Sequence, residues 1–194
     1  KAEVDVCVTS SNFLKICEEL PGDRIIFVPD RLMGKHLTEH LAGRKEVINY
    51  DGECYVHATF TGEKIRSWRE RSSIQGIDLK VLSHPECDAD VLAESDVVGS
   101  SEKLMNEALR LSEEGKPDIM LITECGTADR VRAESESEVN LIGTCVMCRY
   151  MKMTQLEDIL QSLRNPRPEQ IIELDSKVIQ KAQYSLNEMF RLAE

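Results

Sequence analysis

The sequence predicts an α/β protein made of repeated sandwich units, each with a short parallel sheet. Three observations support this class. Short β-branched or apolar runs alternate with amphipathic segments of helical period along the 194 residues. The two halves of the chain resemble each other, in order, at an offset of about 90 residues. Polar and reactive side chains directly follow the strands, which is where open α/β sheets bind ligands.

In the first half, strands are indicated by short apolar runs and helices by amphipathic segments that follow N-cap residues or proline. The predicted strands cover residues 4–8, 24–28 and 46–49, and the predicted helices cover about 12–20, 32–41 and 61–70. Pro21-Gly22-Asp23 is a turn and Pro29-Asp30 ends a buried parallel strand. Residues 50–57 are predicted to be a loop.

The second half continues the alternation of strands and helices. Its predicted strands cover residues 79–83, 96–98, 117–122 and 139–142. Its predicted helices cover about 89–94, 101–114, a short segment from Thr127, 154–163 and 176–192. Asn165–Pro168 is a break, and the last helix carries apolar residues at a period of about 3.6.

The internal repeat pairs features of the two halves. Ser10-Ser11 corresponds to Ser100-Ser101, strand 25–28 to strand 120–122, Glu46-Val47 to Glu138-Val139, and the Cys54 loop to the loop with Cys145 and Cys148. Any two α/β units align loosely, but this ordered agreement favours duplication. The second unit begins with a strand, 79–83, that the first lacks. We therefore expect a chain cut at its N-terminus, with one domain over 1–74 that lacks its first strand, another over 75–174 and a terminal helix over 175–194.

Composition excludes several classes of function. The net charge is −11 and the basic residues are scattered, which argues against a nucleic acid or an anionic membrane as partner. No apolar run approaches the roughly 18 residues of a spanning helix, and no signal peptide is visible. The seven cysteines show no disulfide-scaffold spacing, which predicts a cytoplasmic protein with thiols reserved for chemistry.

The segment Gly143–Met153 is the strongest candidate for chemistry. It places Cys145 and Cys148 three residues apart, in a loop before a predicted helix, where a thiolate is stabilised. Thiolates suit a metal or an iron–sulfur cluster. A single CxxC fits a redox pair or two packed thiols equally well.

Other candidates also follow strands. Ser10 and the pair Ser100-Ser101 suit a phosphate at a helix N-terminus, or are plain N-caps. His84 and Glu86 suit an acid/base pair, or belong to a simple turn. His57 is placed to hydrogen-bond a substrate or a cluster ligand, or is a surface side chain. His36 and His40 have metal-ligand spacing, but with no Cys or acidic partner nearby in sequence they are assigned to the surface.

Taken together, six motifs resemble the quinolinate synthase family, in its order and across nearly the whole chain. They are DVCVTSSN at 5–12, PDRxxG at 29–34, GECYVH at 52–57, HPEC at 84–87, VGSS at 98–101 and CRYMK at 148–152.

The resemblance implies three similar α/β/α domains around a pseudo-threefold axis, each contributing one cysteine to a 4Fe–4S cluster that acts as a Lewis acid. The implied transferase condenses iminoaspartate with dihydroxyacetone phosphate to quinolinate in NAD biosynthesis. It also implies a functional link to L-aspartate oxidase or aspartate dehydrogenase. Cys54 and Cys148 would be cluster ligands, and His84 and Glu86 catalytic groups. His57, Ser10, Ser100 and Ser101 would bind substrate.

The sequence also departs from the family. We expect the family's first domain, with its cysteine and a catalytic tyrosine, to be missing from these 194 residues, and this chain to be inactive alone. Cys145 is an extra, possible redox thiol, but Ile142 replaces the first cysteine of the CxxCxxC that some members carry. Cys7, Cys17, Cys87 and Cys125 are expected to be thiols without a cluster role. Two alternatives remain open, namely a non-catalytic zinc module at Cys145 and Cys148 with Cys54 and His57, and a phosphate-ligand binding module.

Overall fold

The computed structural model describes residues 1–115, 117–143 and 145–194, and it confirms the α/β class with short parallel sheets. The helices are α1 (Phe13–Glu19), α2 (Arg31–His40), α3 (Tyr55–Ala58), α4 (Gly62–Ile74), α5 (Ala89–Leu92), α6 (Ser101–Glu114), α7 (Cys125–Glu134), α8 (Leu156–Arg164) and α9 (Ser176–Ala193). The strands are β1 (Arg24–Phe27), β2 (Glu46–Asn49), β3 (Leu79–Ser83), β4 (Val97–Val98), β5 (Asp118–Ile122) and β6 (Leu141–Ile142).

The chain divides into two compact units. One comprises Thr9–Met147 and holds the strands β1 to β6, while the other comprises Lys1–Val8 together with Cys148–Glu194. The domain boundaries expected near residues 74 and 174 remain a prediction.

Strands β1 and β2 form a two-stranded parallel sheet in the unit Thr9–Met147. Its register runs from Arg24 opposite Glu46 to Phe27 opposite Asn49. The inner face buries Ile25 and Phe27, and the crossover helix α2 packs against β2. On the outer face, Ile26 and Ile48 lie opposite each other and are 72% and 42% exposed. These two residues form an apolar strip on the surface.

Gly34 allows α2 to approach β2 closely. A Cβ atom built on Gly34 would collide with the side-chain amide of Asn49. Any side chain at this position would force the Asn49 amide to move or the helix to shift away from the strand. The glycine of the PDRxxG motif therefore has a packing role.

The second sheet of this unit has the order β4-β3-β5-β6 with every pair parallel. The side chains of one face meet α6 and α7 in a core cluster formed by Leu82, Leu104, Met105, Ala108, Ile119 and Val131. The Leu79–Ser83 run is buried at nearly every position, as expected for a central parallel strand.

Several predicted elements differ in the structure. Residues 4–8 form no strand, because the Cys7 N–H donates to the carbonyl of Ser185 at 3.0 Å instead of joining a ladder. Helix α3 begins inside the predicted loop 50–57. The helix is too short for its sequence to show a helical period. Helix α7 begins at Cys125, two residues before the predicted start, since the Glu124 carboxylate caps it by accepting from the Gly126 N–H.

The other unit is helical in its described regular structure. Its helix α8 leaves four large apolar residues exposed, namely Leu156, Ile159, Leu160 and Leu163. Helix α9 follows the predicted span and buries Ser185 and Leu192. Among the described residues, none of the helices combines the length and the apolar character that crossing a membrane requires.

Candidate functional site

Reactive side chains of the unit Thr9–Met147 meet where three parallel strands end. Cys54 and His57 lie after β2, His84 and Glu86 after β3, and Thr123 after β5. The carboxyl ends of parallel strands are the usual ligand-binding edge of α/β sheets. The structure therefore brings together four of the predicted site residues.

Asp30 fixes the loop that carries Cys54. It is 5% exposed and caps α2, with Oδ1 accepting from the Met33 N–H at 2.7 Å. Its Oδ2 accepts from the Cys54 N–H at 2.9 Å. Burial raises the pKa of this carboxyl group, and the backbone donors lower it only in part. One buried carboxyl group thus joins the start of α2 to the cysteine loop.

His57 lies on the buried side of α3 and is held at both ring nitrogens. Nδ1 lies 2.8 Å from Oε2 of Glu86, and Nε2 lies 3.1 Å from Oγ1 of Thr123. Burial pushes the pKa of Glu86 upward, but the hydrogen bond with His57 and the nearby His84 lower it below the ordinary value overall. Glu86 is therefore an ionised proton acceptor at neutral pH.

His84 completes the centre by stacking on His57. The ring centroids are 4.4 Å apart and the planes are 10° from parallel. Burial lowers the pKa of His84 to about 4, and the neighbouring His57 acts in the same direction. His84 is consequently neutral near pH 7.

The low pKa of His84 predicts acid instability of the metal-free chain. In the unfolded chain a histidine binds a proton below about pH 6.5. Between that value and about 4, the unfolded state therefore holds more protons than the folded one, so stability falls as the pH falls. At about 1.4 kcal/mol per pKa unit, the loss is about 3 kcal/mol. Urea unfolding between pH 7 and pH 4 should show this slope, and His84→Gln should flatten it, whereas an unchanged slope would contradict the assignment.

Cys54 faces the same centre. Its Sγ, a ring nitrogen of His57 and a carboxylate oxygen of Glu86 all lie within 4.8 Å of one another. Burial raises the pKa of the Cys54 thiol, and Glu86 and Asp30 add to that shift. A cation at this point would favour the thiolate, so these donors suit a metal.

The segment with Cys145 and Cys148 differs from the prediction. Cys125, expected to be a thiol, forms a disulfide with Cys145, and their Cα atoms are 5.2 Å apart. Sequence spacing did not indicate this pair, because the two residues become close only when β5 and β6 align. The zinc alternative that used Cys145 is therefore wrong for this disulfide-bonded state. Cys148 is half-buried and belongs to the unit with residues 148–194.

Among the described residues, the serines predicted to bind substrate take no part in the hydrogen bonds of the centre formed by His57, His84 and Glu86. Ser100 caps α6, its Oγ accepting from the Lys103 N–H at 3.3 Å, and Ser101 is the exposed first residue of that helix. Ser10 lies half-buried in the turn before α1. The plain N-cap interpretation thus describes Ser100, and a substrate role of the serines remains a prediction.

The prediction that His36 and His40 lie on the surface is wrong for His36. His36 is half-buried, with its ring edge-on to Phe13 at 5.7 Å, and burial lowers its pKa. His40 is exposed and contacts Glu18 at 3.3 Å.

Sequence reasoning did not single out Asp30 or Thr123. Asp30 stands in a Pro-Asp break, and aspartate before a helix is a recognisable N-cap signal. Thr123 directly follows β5, so its position at a strand end was a further signal. Neither signal reveals which side chain the residue contacts.

Comparison with known proteins identifies relatives over the whole chain. A family model described as NadA, quinolinate synthetase A protein, matches residues 1–191. A protein named quinolinate synthase 1 from Mesorhizobium japonicum is 32% identical over 97% of this chain and 55% of its own length. Quinolinate synthase from Clostridium novyi is 32% identical over 99% of this chain and 61% of its own length. Quinolinate synthase from Caulobacter vibrioides is 32% identical over 99% of this chain and 50% of its own length. The chain thus spans about half the length of the curated relatives it matches.

Proposed function

Because the chain belongs to the quinolinate synthetase A protein family, we propose that it forms part of a quinolinate synthase in NAD biosynthesis. The proposed reaction condenses iminoaspartate with dihydroxyacetone phosphate, with loss of phosphate and water. We further propose that turnover requires the part of the relatives' length that these 194 residues do not span.

The centre formed by Glu86, His57 and His84 is the observation that carries this proposal. A condensation that closes an aromatic ring needs protons taken from carbon or nitrogen and given to departing oxygen. Glu86 is ionised, and its side chain is 25% exposed, so it is able to accept a proton from a bound molecule. A substrate molecule can therefore reach the carboxylate.

In this proposal His84 is a catalytic group beside Glu86 and His57 binds substrate, and both rings also position the carboxylate. His57 holds Glu86 by the 2.8 Å contact and is itself fixed by Thr123. His84 is buried and neutral, so it presents a hydrogen-bonding ring without adding a positive charge. The pair keeps the carboxylate in one orientation, which general acid–base catalysis requires.

Two cysteines have the donor chemistry for the iron–sulfur cluster that the family implies. Cys54 is a half-buried thiol with its backbone fixed by Asp30, and Cys148 is a second half-buried cysteine. Both would hold the cluster through thiolates, the usual ligands of such groups. When bound, the cluster supplies Lewis-acid chemistry at an iron without a protein ligand.

Substrate anions require donors near the centre. We propose that Ser10, Ser100 and Ser101 bind a carboxylate or a phosphate. Support comes from the position of Ser100 and Ser101 at the start of the 14-residue helix α6, where unpaired N–H groups attract anions.

Anaerobic reconstitution with iron and sulfide tests this proposal. We expect a version of the protein that spans the full length of its relatives to hold about four irons and to form quinolinate. The 194-residue chain should form none. In the longer protein, Cys54→Ser and Cys148→Ser should each remove most of the iron and the activity, as measured by metal analysis and product chromatography.

Cys7→Ser is the matched control, because Cys7 is a half-buried thiol that hydrogen-bonds Ser185 and has no proposed cluster role. Iron content that survives both Cys54→Ser and Cys148→Ser would refute the ligand assignment. Quinolinate formation by the 194-residue chain would refute the requirement for the remaining length.

A further inference from the structure

We propose that Cys54, His57 and Glu86 form a mononuclear zinc site that differs in its ligands from the iron–sulfur centre. This site needs neither Cys148 nor any residue outside the unit Thr9–Met147. It goes beyond the proposed function, because it concerns a second metal state of the same cysteine.

The geometry of the three donors supports such a site. One ligand atom from each residue lies within 4.8 Å of the other two. Zinc–ligand bonds of about 2.0–2.3 Å place tetrahedral donors about 3.3–3.8 Å apart. Small side-chain rotations therefore bring sulfur, nitrogen and oxygen onto one ion.

The contacts around these donors resemble the outer shell of a metal site. Nδ1 of His57 lies 2.8 Å from Oε2 of Glu86, and Nε2 lies 3.1 Å from Oγ1 of Thr123. An ion bound at Nδ1 would select the tautomer that carries its proton on Nε2, and that N–H can donate to the Thr123 hydroxyl. Metal-binding histidines commonly use their second nitrogen in this way, and Asp30 fixes the Cys54 backbone from the other side.

The charge of the centre also favours binding of a cation. Within the described part of the chain, the ion-pair partners of Glu86 are His57 and His84, with no lysine or arginine among them. Asp30 adds a second, buried carboxyl group behind Cys54. A divalent cation would offset this negative charge on binding.

The donor types select the metal. Magnesium and calcium prefer sites made only of oxygen, whereas zinc accepts thiolate, imidazole and carboxylate in one site. Three protein ligands leave a fourth position for water, and the 25% exposure of the Glu86 side chain allows solvent to reach it. Binding converts the Cys54 thiol to a thiolate and releases one proton. Zinc and the cluster would therefore compete for Cys54.

Cobalt and zinc titrations of the 194-residue chain test the site. The parent carries Cys125→Ser and Cys145→Ser, so that reduction releases no extra thiols. We expect one equivalent of Co²⁺ to give a thiolate charge-transfer band that Zn²⁺ abolishes. Affinity is measured by competition with a chelator. Cys54→Ser should remove the band, and Glu86→Gln should weaken zinc binding at least about tenfold.

Two control variants distinguish the zinc site from the proposed iron–sulfur centre. Cys148→Ser should leave zinc affinity unchanged while it removes iron from the longer protein, so failure of either proposal is recognised independently. Glu63→Gln, on the exposed start of α4, should also leave zinc affinity unchanged. Wild-type zinc affinity in Glu86→Gln, or the absence of a cobalt–thiolate band in the parent, would overturn the site. These two readouts decide the matter even if Cys54→Ser does not fold.

Discussion

Glu86→Gln is expected to lower kcat for quinolinate formation by about two to four orders of magnitude, the usual contribution of a general acid–base group. The comparison uses a protein that spans the full length of its relatives. Glutamine keeps the shape of the side chain and still contacts Nδ1 of His57, which lies 2.8 Å from Oε2. It cannot exchange a proton, so KM should change much less than kcat.

The pH profile provides a second readout for Glu86. Burial acts to raise its pKa, but the hydrogen bond with His57 and the effect of His84 lower it overall. The carboxylate is therefore already formed above the ordinary glutamate pKa, and the acid limb of kcat/KM should lie below that value. Glu86→Asp should retain part of the activity and shift this limb.

Glu63→Gln serves as the matched control for the kinetic comparison, since Glu63 is exposed in the first turn of α4. It should retain full kcat. If Glu86→Gln keeps more than about a tenth of the parent kcat, another group transfers the proton, and Glu86 only positions the substrate.

Asp30→Ala is expected to destabilise the unit Thr9–Met147 by about 2 to 5 kcal/mol. Loss of the N-cap of α2 costs about 1–2 kcal/mol. The Cys54 N–H, which donates to Oδ2 at 2.9 Å, also loses its partner, at about 1–3 kcal/mol. The result should be a lower urea midpoint and faster alkylation of Cys54, because its loop is no longer held.

Asp30→Asn should fall between alanine and the parent. An asparagine oxygen can accept from either Met33 or Cys54, but its amide nitrogen cannot accept from the other. Asp88→Ala is the matched control, because Asp88 caps the short helix α5 from a side chain that is 46% exposed. Equal destabilisation by Asp30→Ala and Asp88→Ala would show that Asp30 acts only as an ordinary cap.

Much of the fold could be predicted because the local signals agree with one another. The apolar runs 46–49 and 79–83 coincide with β2 and β3, and Ser100 before an amphipathic segment marks the start of α6. Val4–Val8 had the right residue types for a strand, but a strand also needs a neighbour, and its Cys7 N–H binds Ser185 instead. Composition alone does not supply that information.

Four residues of the candidate centre were predictable, but their contacts were not. Strand ends pointed to Cys54, His57, His84 and Glu86, and these do converge. The pairing of Cys125 with Cys145 depends on how β5 and β6 align, and residues 20 apart in sequence give no local sign of it. The anchoring of Cys54 by Asp30 across 24 residues depends in the same way on the position of α2.

The apolar strip of Ile26 and Ile48 affects how the protein behaves at high concentration. At neutral pH, a net charge of −11 keeps molecules apart by electrostatic repulsion. Near the isoelectric point of about 4.9, that repulsion disappears, and two such strips on different molecules can stack face to face. Colloidal stability therefore rests on the excess of acidic side chains, and buffers well above pH 5 and of modest ionic strength preserve it.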